Sequence, residues 1–129
     1  MERVQIEIEF LLRTSPTLLY QFLTTPSALV RWFCDKVDIQ SNNIYTFSWN
    51  DYEEIARLSE DIEEELLRFD WLDDGRDGEF LSFQIDISPV TGETILLITD
   101  FCDADEVREQ KALWEAQIKM LKKETGSGG

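Results

Sequence analysis

The stretch that decides the fold is DADEVREQKALWEAQIKMLK, residues 103–122. Apolar positions recur in it at helical spacing and form one broad face. That face comprises Val107, Gln110, Trp114, Ile118 and Leu121, and Leu113 and Met120 widen it. Lysines occupy the last turns, where cations interact favourably with the helix dipole. The pattern predicts a C-terminal helix of about 20 residues that is capped by Asp103 and lays its apolar face on another layer.

The segments before this helix predict that layer, because they alternate apolar and polar residues. The predicted strands are Val4–Leu12, Tyr45–Trp49, Glu54–Ser59, Glu63–Leu72, Glu79–Ser88 and Glu93–Cys102. Glu63–Leu72 is ambiguous, since its charge-rich start suits a helix, but its alternating aromatic residues favour a strand. Asn50–Asp51 is a turn signal, and Pro89–Gly92 is a hairpin connection.

Two short helices are predicted between the first strand and the others. Ser15 is a suitable N-cap with Pro16 at the first helical position, and Ser27–Cys34 (SALVRWFC) predicts the second helix. The order is therefore strand, two short helices, five or six strands and one long helix. It predicts an α+β fold in which a curved antiparallel sheet wraps a long C-terminal helix.

The composition indicates a globular protein with an apolar content of 43%. We expect one domain, residues 1–125, followed by a flexible tail, residues 126–129. No apolar run has the roughly 18 residues of a membrane span, and MERVQIEIEF lacks the pattern of a signal peptide. A cytoplasmic location is therefore expected, with Cys34 and Cys102 as buried thiols rather than a disulfide.

The charge is strongly negative, at −15 overall. Residues 51–79 hold 13 acids and three arginines, a balance of −10. Nucleic acids and anionic membranes are not expected as partners, because they select for lysine and arginine. The acidic run is interpreted first as a solvated surface, and alternatively as a docking face for a basic protein through Glu63, Glu64 and Glu65.

The sequence predicts no catalytic residue, no metal site and no cofactor. Histidine is absent, which removes the usual general base and the commonest metal ligand. The acids Asp73, Asp74 and Asp77 lack the ligand spacing of a known calcium loop. A pair of acids with separated pKa values would be needed for acid–base work, and 27 acids do not single one out.

A sheet that grips one helix encloses space unless large side chains fill it. The candidates to line such a cavity are Trp32, Phe33, Trp49, Phe69, Trp71, Phe83, Thr99, Phe101, Trp114 and Ile118. The alternative is that the aromatic residues are ordinary core, with Trp32 and Phe33 anchoring the short helix. Arg57 and Arg68 would bind a carboxylate ligand if they pointed inward, but we expect them to point outward into ion pairs.

Three segments carry a resemblance to a known family: Ser15–Leu23 (SPTLLYQFL), Thr25–Phe33 (TPSALVRWF) and Trp114–Lys122 (WEAQIKMLK). Together with the element order, they resemble the helix-grip fold of the START-like, or SRPBCC, superfamily. The similarity is to the branch related to the activator of the heat-shock-protein ATPase, as a small bacterial stand-alone member. The resemblance implies an internal cavity between sheet and C-terminal helix.

Three functional hypotheses follow. The first is a non-enzymatic protein that binds a small hydrophobic or amphipathic ligand in that cavity. The alternative is a co-chaperone-like interaction module that uses the acidic face. The second alternative is an enzyme of the cyclase or hydratase type found on the same fold, against which the absence of histidine counts.

Overall fold

A computed structural model of the protein describes residues 2–50 and 52–127. The strands are β1 (Arg3–Leu12), β2 (Lys36–Gln40), β3 (Ile44–Trp49), β4 (Tyr52–Ile62), β5 (Leu66–Trp71), β6 (Phe80–Ile87) and β7 (Thr94–Asp103). The helices are α1 (Pro16–Thr24), α2 (Pro26–Leu29) and α3 (Val107–Glu124). Short 3₁₀ turns, Ser41–Asn43 and Ala104–Glu106, precede β3 and α3. The predicted α+β helix-grip fold is confirmed.

All seven strands form one antiparallel sheet in the order β1-β7-β6-β5-β4-β3-β2. Strand β1 pairs with β7 over its whole length, from Arg3 opposite Asp103 to Leu12 opposite Thr94. The ambiguous segment is a strand, as its alternation predicted, and residues 63–65 form the turn that precedes it. Strand β4 extends beyond its predicted ends, and Asp51 of the predicted turn lies outside the described residues.

The two short helices follow β1. Ser15 caps α1, because its Oγ accepts a 3.1 Å hydrogen bond from the Leu18 amide, and Pro16 occupies the first helical position. Helix α2 is shorter than predicted and ends at Leu29. The amides of Phe33 and Cys34 both donate to the Leu29 carbonyl, which closes the helix in a tight turn. That turn brings Trp32 and Phe33 into the core, where each is 6% exposed.

Helix α3 differs from the prediction at its start and in the width of its apolar face. The Asp103 side chain does not cap the helix; it accepts a hydrogen bond from Arg3 Nη1 at 3.1 Å. Only a narrow stripe of α3 is buried, comprising Trp114, Ile118 and Leu121. The prediction that Leu113 and Met120 widen the buried face is wrong, since they are 52% and 43% exposed.

The expected tail is partly packed against the domain. Gly126 has a φ of 73°, and the Ser127 amide donates to the Lys122 carbonyl at 2.8 Å, which is a glycine-dependent helix termination. Ser127 is 5% exposed, and its Oγ accepts a hydrogen bond from the Arg13 amide at 3.0 Å. Gly126 and Ser127, the first two residues of the expected tail, therefore belong to this helix ending, and residues 128–129 lie outside the described range.

The core lies between the concave face of the sheet and the three helices. Its fully buried rings come from the sheet, and they are Phe47, Phe69 and Phe83. Both cysteines are free and buried, as predicted, and burial raises the pKa of the Cys34 thiol to about 11. Among residues 2–50 and 52–127, no helix has the length and apolar character that crossing a membrane requires.

Candidate ligand cavity

A cavity of about 520 Å3 lies between the first half of α3 and one end of the sheet. At that end, β4 and β6 begin and β5 and β7 finish, because neighbouring strands run antiparallel. We call this region the open end. The apolar lining is Phe33, Trp49, Trp71, Leu81, Leu113 and Trp114, with Gly75, Phe101 and Cys102. The polar lining is Arg3, Tyr52, Glu54, Arg76, Asp100, Glu106, Gln110 and Gln117.

The aromatic wall of the cavity is centred on Phe33. Its ring stacks on Trp114 with centroids 6.0 Å apart and meets Trp49 edge-on at 5.3 Å. Trp49 is fixed by its indole N–H, which donates to the Phe33 carbonyl at 2.7 Å. The turn after α2 thereby supplies both a ring and a backbone acceptor to the wall. The wall is pre-formed, as ligand pockets usually are.

Asp100 joins β7 to α3 beside the cavity. It is 5% exposed, and its Oδ2 accepts hydrogen bonds from Trp114 Nε1 at 2.8 Å and from Gln110 Nε2 at 2.9 Å. Its Oδ1 accepts from the Phe101 amide at 2.8 Å. Buried polar groups are costly unless they are hydrogen-bonded, and Asp100 meets that requirement entirely with N–H donors. It therefore fixes the orientation of the Trp114 ring in the wall.

A chain of ion pairs crosses the floor of the open end. Glu79 accepts from Arg3 Nη2 at 2.7 Å and from Arg3 Nε at 2.9 Å, which is a two-point contact. Arg76 contacts the same carboxylate through Nε at 3.4 Å and contacts Glu54 through Nη1 at 2.6 Å. Hydrogen bonds from Arg3, followed by the charge of Arg3 and Arg76, lower the pKa of Glu79.

Glu54 is the member of this chain with the opposite shift. Burial raises the pKa of its carboxyl group, and the nearby carboxylates of Asp73 and Asp100 raise it further, although Arg76 acts against them. Arg76 reaches Glu54 from the loop between β5 and β6, and its guanidinium carbon lies 4.4 Å from the centre of the Trp71 ring. Gly75, with a φ of 80°, provides a backbone conformation in that loop that side chains disfavour.

The ten predicted lining residues fall into three groups. Five border the cavity: Phe33, Trp49, Trp71, Phe101 and Trp114. Four lie buried in the core, and they are Trp32, Phe69, Phe83 and Ile118. Thr99 lies on the opposite face of β7, because residues alternate along a strand and its neighbour Asp100 faces the helix. The ring of Phe101 packs against Phe80, with centroids 5.2 Å apart.

Arg57 and Arg68, the two arginines considered as binding residues for a carboxylate ligand, lie outside the cavity. Arg57 is exposed, and Arg68 pairs with Asp70 at 2.8 Å while its guanidinium carbon lies 3.9 Å from the centre of the Phe80 ring. The polar residues of the lining were not predicted, although the alternation of side chains along a strand indicates one of them. Asp100 falls in step with Leu96 and Ile98 on β7, so the alternation places its carboxylate on the concave face.

Two further acidic features were considered, one remote from the cavity and one at its edge, where Glu106 belongs to the lining. Glu63, Glu64 and Glu65 form the β4–β5 turn at the opposite end of the sheet, where Glu64 accepts a hydrogen bond from the Thr17 hydroxyl at 2.9 Å. Asp103, Asp105 and Glu106 bring carboxylate oxygens within 4.8 Å of one another near the start of α3. Exposed groupings of this kind are common in the absence of an ion, and we assign no metal to them. Asp73 serves the backbone, since it accepts from the Ile55 amide at 3.1 Å.

With this architecture in place, the class of protein is defined: the chain belongs to the START-like superfamily, whose domain model matches residues 1–127. The resemblance found in the sequence is thereby confirmed. START-like folds commonly bind hydrophobic ligands. No curated protein matches the sequence.

Solved structures resemble the chain over nearly its whole length. A protein of Bacteroides fragilis determined in solution is 31% identical, with a TM-score of 0.65, and the match covers 95% of this chain and 91% of that one. The Aha1 dimer from Colwellia psychrerythraea is 20% identical, with a TM-score of 0.81 and coverage of 98% and 99%. A Mesorhizobium loti protein is 17% identical, with a TM-score of 0.76 and coverage of 93% and 95%. The last two likenesses concern the fold alone.

Proposed function

We propose that this protein is a non-enzymatic binding protein that holds one small amphipathic ligand in the cavity at the open end. The observation that carries the proposal is the 520 Å3 cavity itself, which aromatic rings and hydrogen-bonding side chains line together. Ligand pockets of about 300–1,000 Å3 with a mostly apolar lining and a few placed polar groups accept small organic molecules. This cavity has that size, and its lining combines aromatic rings with more polar groups than such pockets usually have.

The geometry favours an amphipathic ligand over a purely apolar one. Phe33, Leu81 and Trp114 offer apolar surface, whereas Glu54, Arg76 and Gln117 offer polar atoms to the same space. A purely apolar ligand would displace water from those polar groups. It would not replace the hydrogen bonds that the water made, and this loss costs free energy. A ligand with an apolar body and a polar head satisfies both kinds of wall.

The enzymatic alternative has one observation in its favour, which is the raised pKa of Glu54. A carboxyl group with a raised pKa holds its proton more strongly than an ordinary carboxyl group, as a general acid requires. However, Glu54 Oε1 already contacts Arg76 at 2.6 Å, an arrangement that favours the ionised form. Native mass spectrometry of protein purified from its own host identifies the bound compound, and incubation with that compound distinguishes the two functions, because a binding protein leaves it unchanged and an enzyme converts it.

A reporter-dye titration tests the binding function. A hydrophobic dye that fluoresces in apolar surroundings should bind at one-to-one stoichiometry and raise the melting temperature, because a ligand of the folded state alone stabilises that state. Two substitutions at one position provide matched variants. Cys102 lines the cavity and is 4% exposed. Cys102→Phe should narrow the cavity and weaken dye binding, and Cys102→Ala should leave binding intact.

The interaction-module alternative makes the opposite prediction. If the acidic β4–β5 turn is the functional surface, the dye will not bind at one-to-one stoichiometry. Charge reversal at Glu63, Glu64 and Glu65 will then abolish capture of a basic partner without changing stability. Dye binding that Cys102→Phe leaves unchanged in a folded variant would also count against the cavity as the binding site.

A further inference from the structure

The cavity lining holds more carboxylates than guanidinium groups, and existing contacts decide which of these charges are open to a ligand. The lining contains three carboxylates, from Glu54, Asp100 and Glu106, and two guanidinium groups, from Arg3 and Arg76. Arg3 is engaged by Glu79 at two points and by Asp103 at 3.1 Å. All three of its nitrogens therefore already donate to carboxylates, and Arg3 offers no strong site to an anionic ligand.

Arg76 is committed in a similar way. Its Nη1 contacts Glu54 at 2.6 Å, its Nε contacts Glu79 at 3.4 Å, and one face of its guanidinium covers the Trp71 ring. An anionic ligand would have to compete with two carboxylates for this group. It would also have to approach Asp100, a third carboxylate on the same cavity.

Asp100 has no cationic partner in the part of the chain that the structure describes. Among the described residues its carboxylate is held only by N–H donors, and no lysine or arginine forms an ion pair with it. A buried carboxylate is ordinarily compensated by a counter-charge. The cavity wall therefore holds a negative charge that a positively charged ligand group would compensate.

Aromatic rings face the same space. Trp49 stacks on Tyr52 with centroids 5.6 Å apart, and Phe33, Trp71 and Trp114 complete the ring surface of the lining. The faces of such rings attract cations, and desolvated sites strengthen the attraction. Arg76 provides an example in this protein, since its guanidinium lies between the Trp71 ring and the Glu54 carboxylate.

We infer that the ligand of the cavity is an amphipathic amine, whose cationic head lies beside Glu54 and Asp100 and whose apolar body lies along Phe33, Leu81 and Trp114. This inference rests on the proposed binding function and adds the charge class of the ligand. The ligand must carry a permanent or protonated nitrogen at neutral pH. A fatty acid or another carboxylate of equal length binds more weakly by the same argument, because both arginines of the lining are already paired.

Three octyl compounds with the same body and different heads test the inference: octylamine, octanol and octanoate. Isothermal titration of the full chain should show one-to-one binding in the order amine, alcohol, carboxylate. The amine should bind at least about tenfold more tightly than the carboxylate, since one charge-assisted contact corresponds to roughly that factor.

Two adjacent substitutions separate the cavity from the general negative charge of the surface. Glu54→Gln removes one carboxylate from the cavity lining and should weaken octylamine binding about tenfold while strengthening octanoate binding, because Arg76 loses one of its two carboxylate partners. Glu53→Gln makes the same charge change at an exposed neighbour outside the lining and should leave both affinities unchanged. Unfolding curves of both variants verify that they are folded.

The possible results of these titrations test the charge class of the ligand separately from the proposed binding function. If none of the three compounds binds, the proposed binding function fails and the inference fails with it. If octanol or octanoate binds at one-to-one stoichiometry as tightly as octylamine, the binding function stands and the charge class is wrong. If Glu54→Gln and Glu53→Gln change the preference for the amine equally, that preference arises from the negative charge of the surface. This result would overturn the inference.

Discussion

The two ends of the sheet use the same helix in different ways. At the end opposite the cavity, which we call the packed end, α3 presents Ile118 and Leu121, which are 1% and 0% exposed. At the open end, the same helix presents Gln110, Gln117 and the half-exposed Leu113 to the cavity. A helix gripped by a sheet therefore does not by itself create a cavity. The cavity forms where the side chains on the face of α3 toward the sheet are polar or point outward.

This division separates stability from binding. Helix α1 covers the packed end with Leu19 and Leu23, which have no exposed surface, and each fully buried apolar side chain contributes about 1.5–3 kcal/mol. The open end instead buries charges whose desolvation offsets much of their mutual attraction. We therefore expect truncations of apolar side chains at the packed end to affect unfolding most, and substitutions of polar residues in the cavity lining to affect affinity.

Trp114 lies at the boundary of the two regions, and its removal should have the largest effect. Trp114→Ala should lower the free energy of unfolding by about 3–5 kcal/mol, because the ring is 3% exposed and contacts Phe33 and Phe83. Urea denaturation measures the change. Trp114→Phe keeps most of the packing and loses the hydrogen bond to Asp100. The free energy of unfolding of this variant should therefore fall by about 1–2 kcal/mol. Equal losses in the two variants would contradict the structural role of the ring.

A pair of helix substitutions compares the two regions directly. Ile118→Ala should cost about 2–5 kcal/mol, because the side chain is buried in the core. Leu113→Ala, one turn nearer the open end, should change stability by less than about 0.5 kcal/mol, since its side chain is 52% exposed. Both values come from chemical denaturation under identical conditions. Similar losses at the two positions would remove the distinction between the ends.

The ion pairs of the open end should make a smaller and pH-dependent contribution. Glu79→Gln should cost about 2–3 kcal/mol at neutral pH, because two arginines lose a charge-assisted partner. The pKa of Glu79 in the folded protein is below its ordinary value of 4.5. The stabilisation is therefore complete above that ordinary value and is lost as the pH falls through the lower folded-state value.

The check on this prediction is the difference between the two proteins across the acid range. The unfolding free energies of the wild type and Glu79→Gln should converge as the medium is acidified, because both then carry a neutral side chain at position 79. A difference that stays constant down to the lowest pH at which both fold would show that the ion pairs are not its source.

The sequence predicted the parts of the fold that depend on periodicity. Strand alternation and the Ser15–Pro16 helix start were sufficient for the element order, and the resemblance supplied the topology. Helical periodicity overestimated the buried width of α3, since spacing alone does not say how wide a stripe the sheet covers. Leu113 and Met120 lie at the margins of that stripe and remain exposed.

The site was harder to predict because its polar residues come from separate elements. Glu54, Arg76 and Asp100 are far apart in the sequence, and only the antiparallel register brings β4, β7 and the β5–β6 loop to one end. Among 27 acids, composition does not distinguish a buried carboxylate from a solvated one. Strand parity would have identified Asp100, whereas Arg76 depends on the path of a loop that has no periodic signal.

The most direct test of the account is a nuclear magnetic resonance titration with octanol, whose neutral head makes the result independent of the inferred charge preference. The four tryptophan indole N–H signals are the probes, since Trp49, Trp71 and Trp114 line the cavity and the Trp32 indole donates to the Phe22 carbonyl away from it. The account predicts that the three cavity signals shift together and saturate at one equivalent, while the Trp32 signal moves least. Shifts confined to Trp32, or an unchanged spectrum at saturating octanol, would contradict a ligand cavity at the open end.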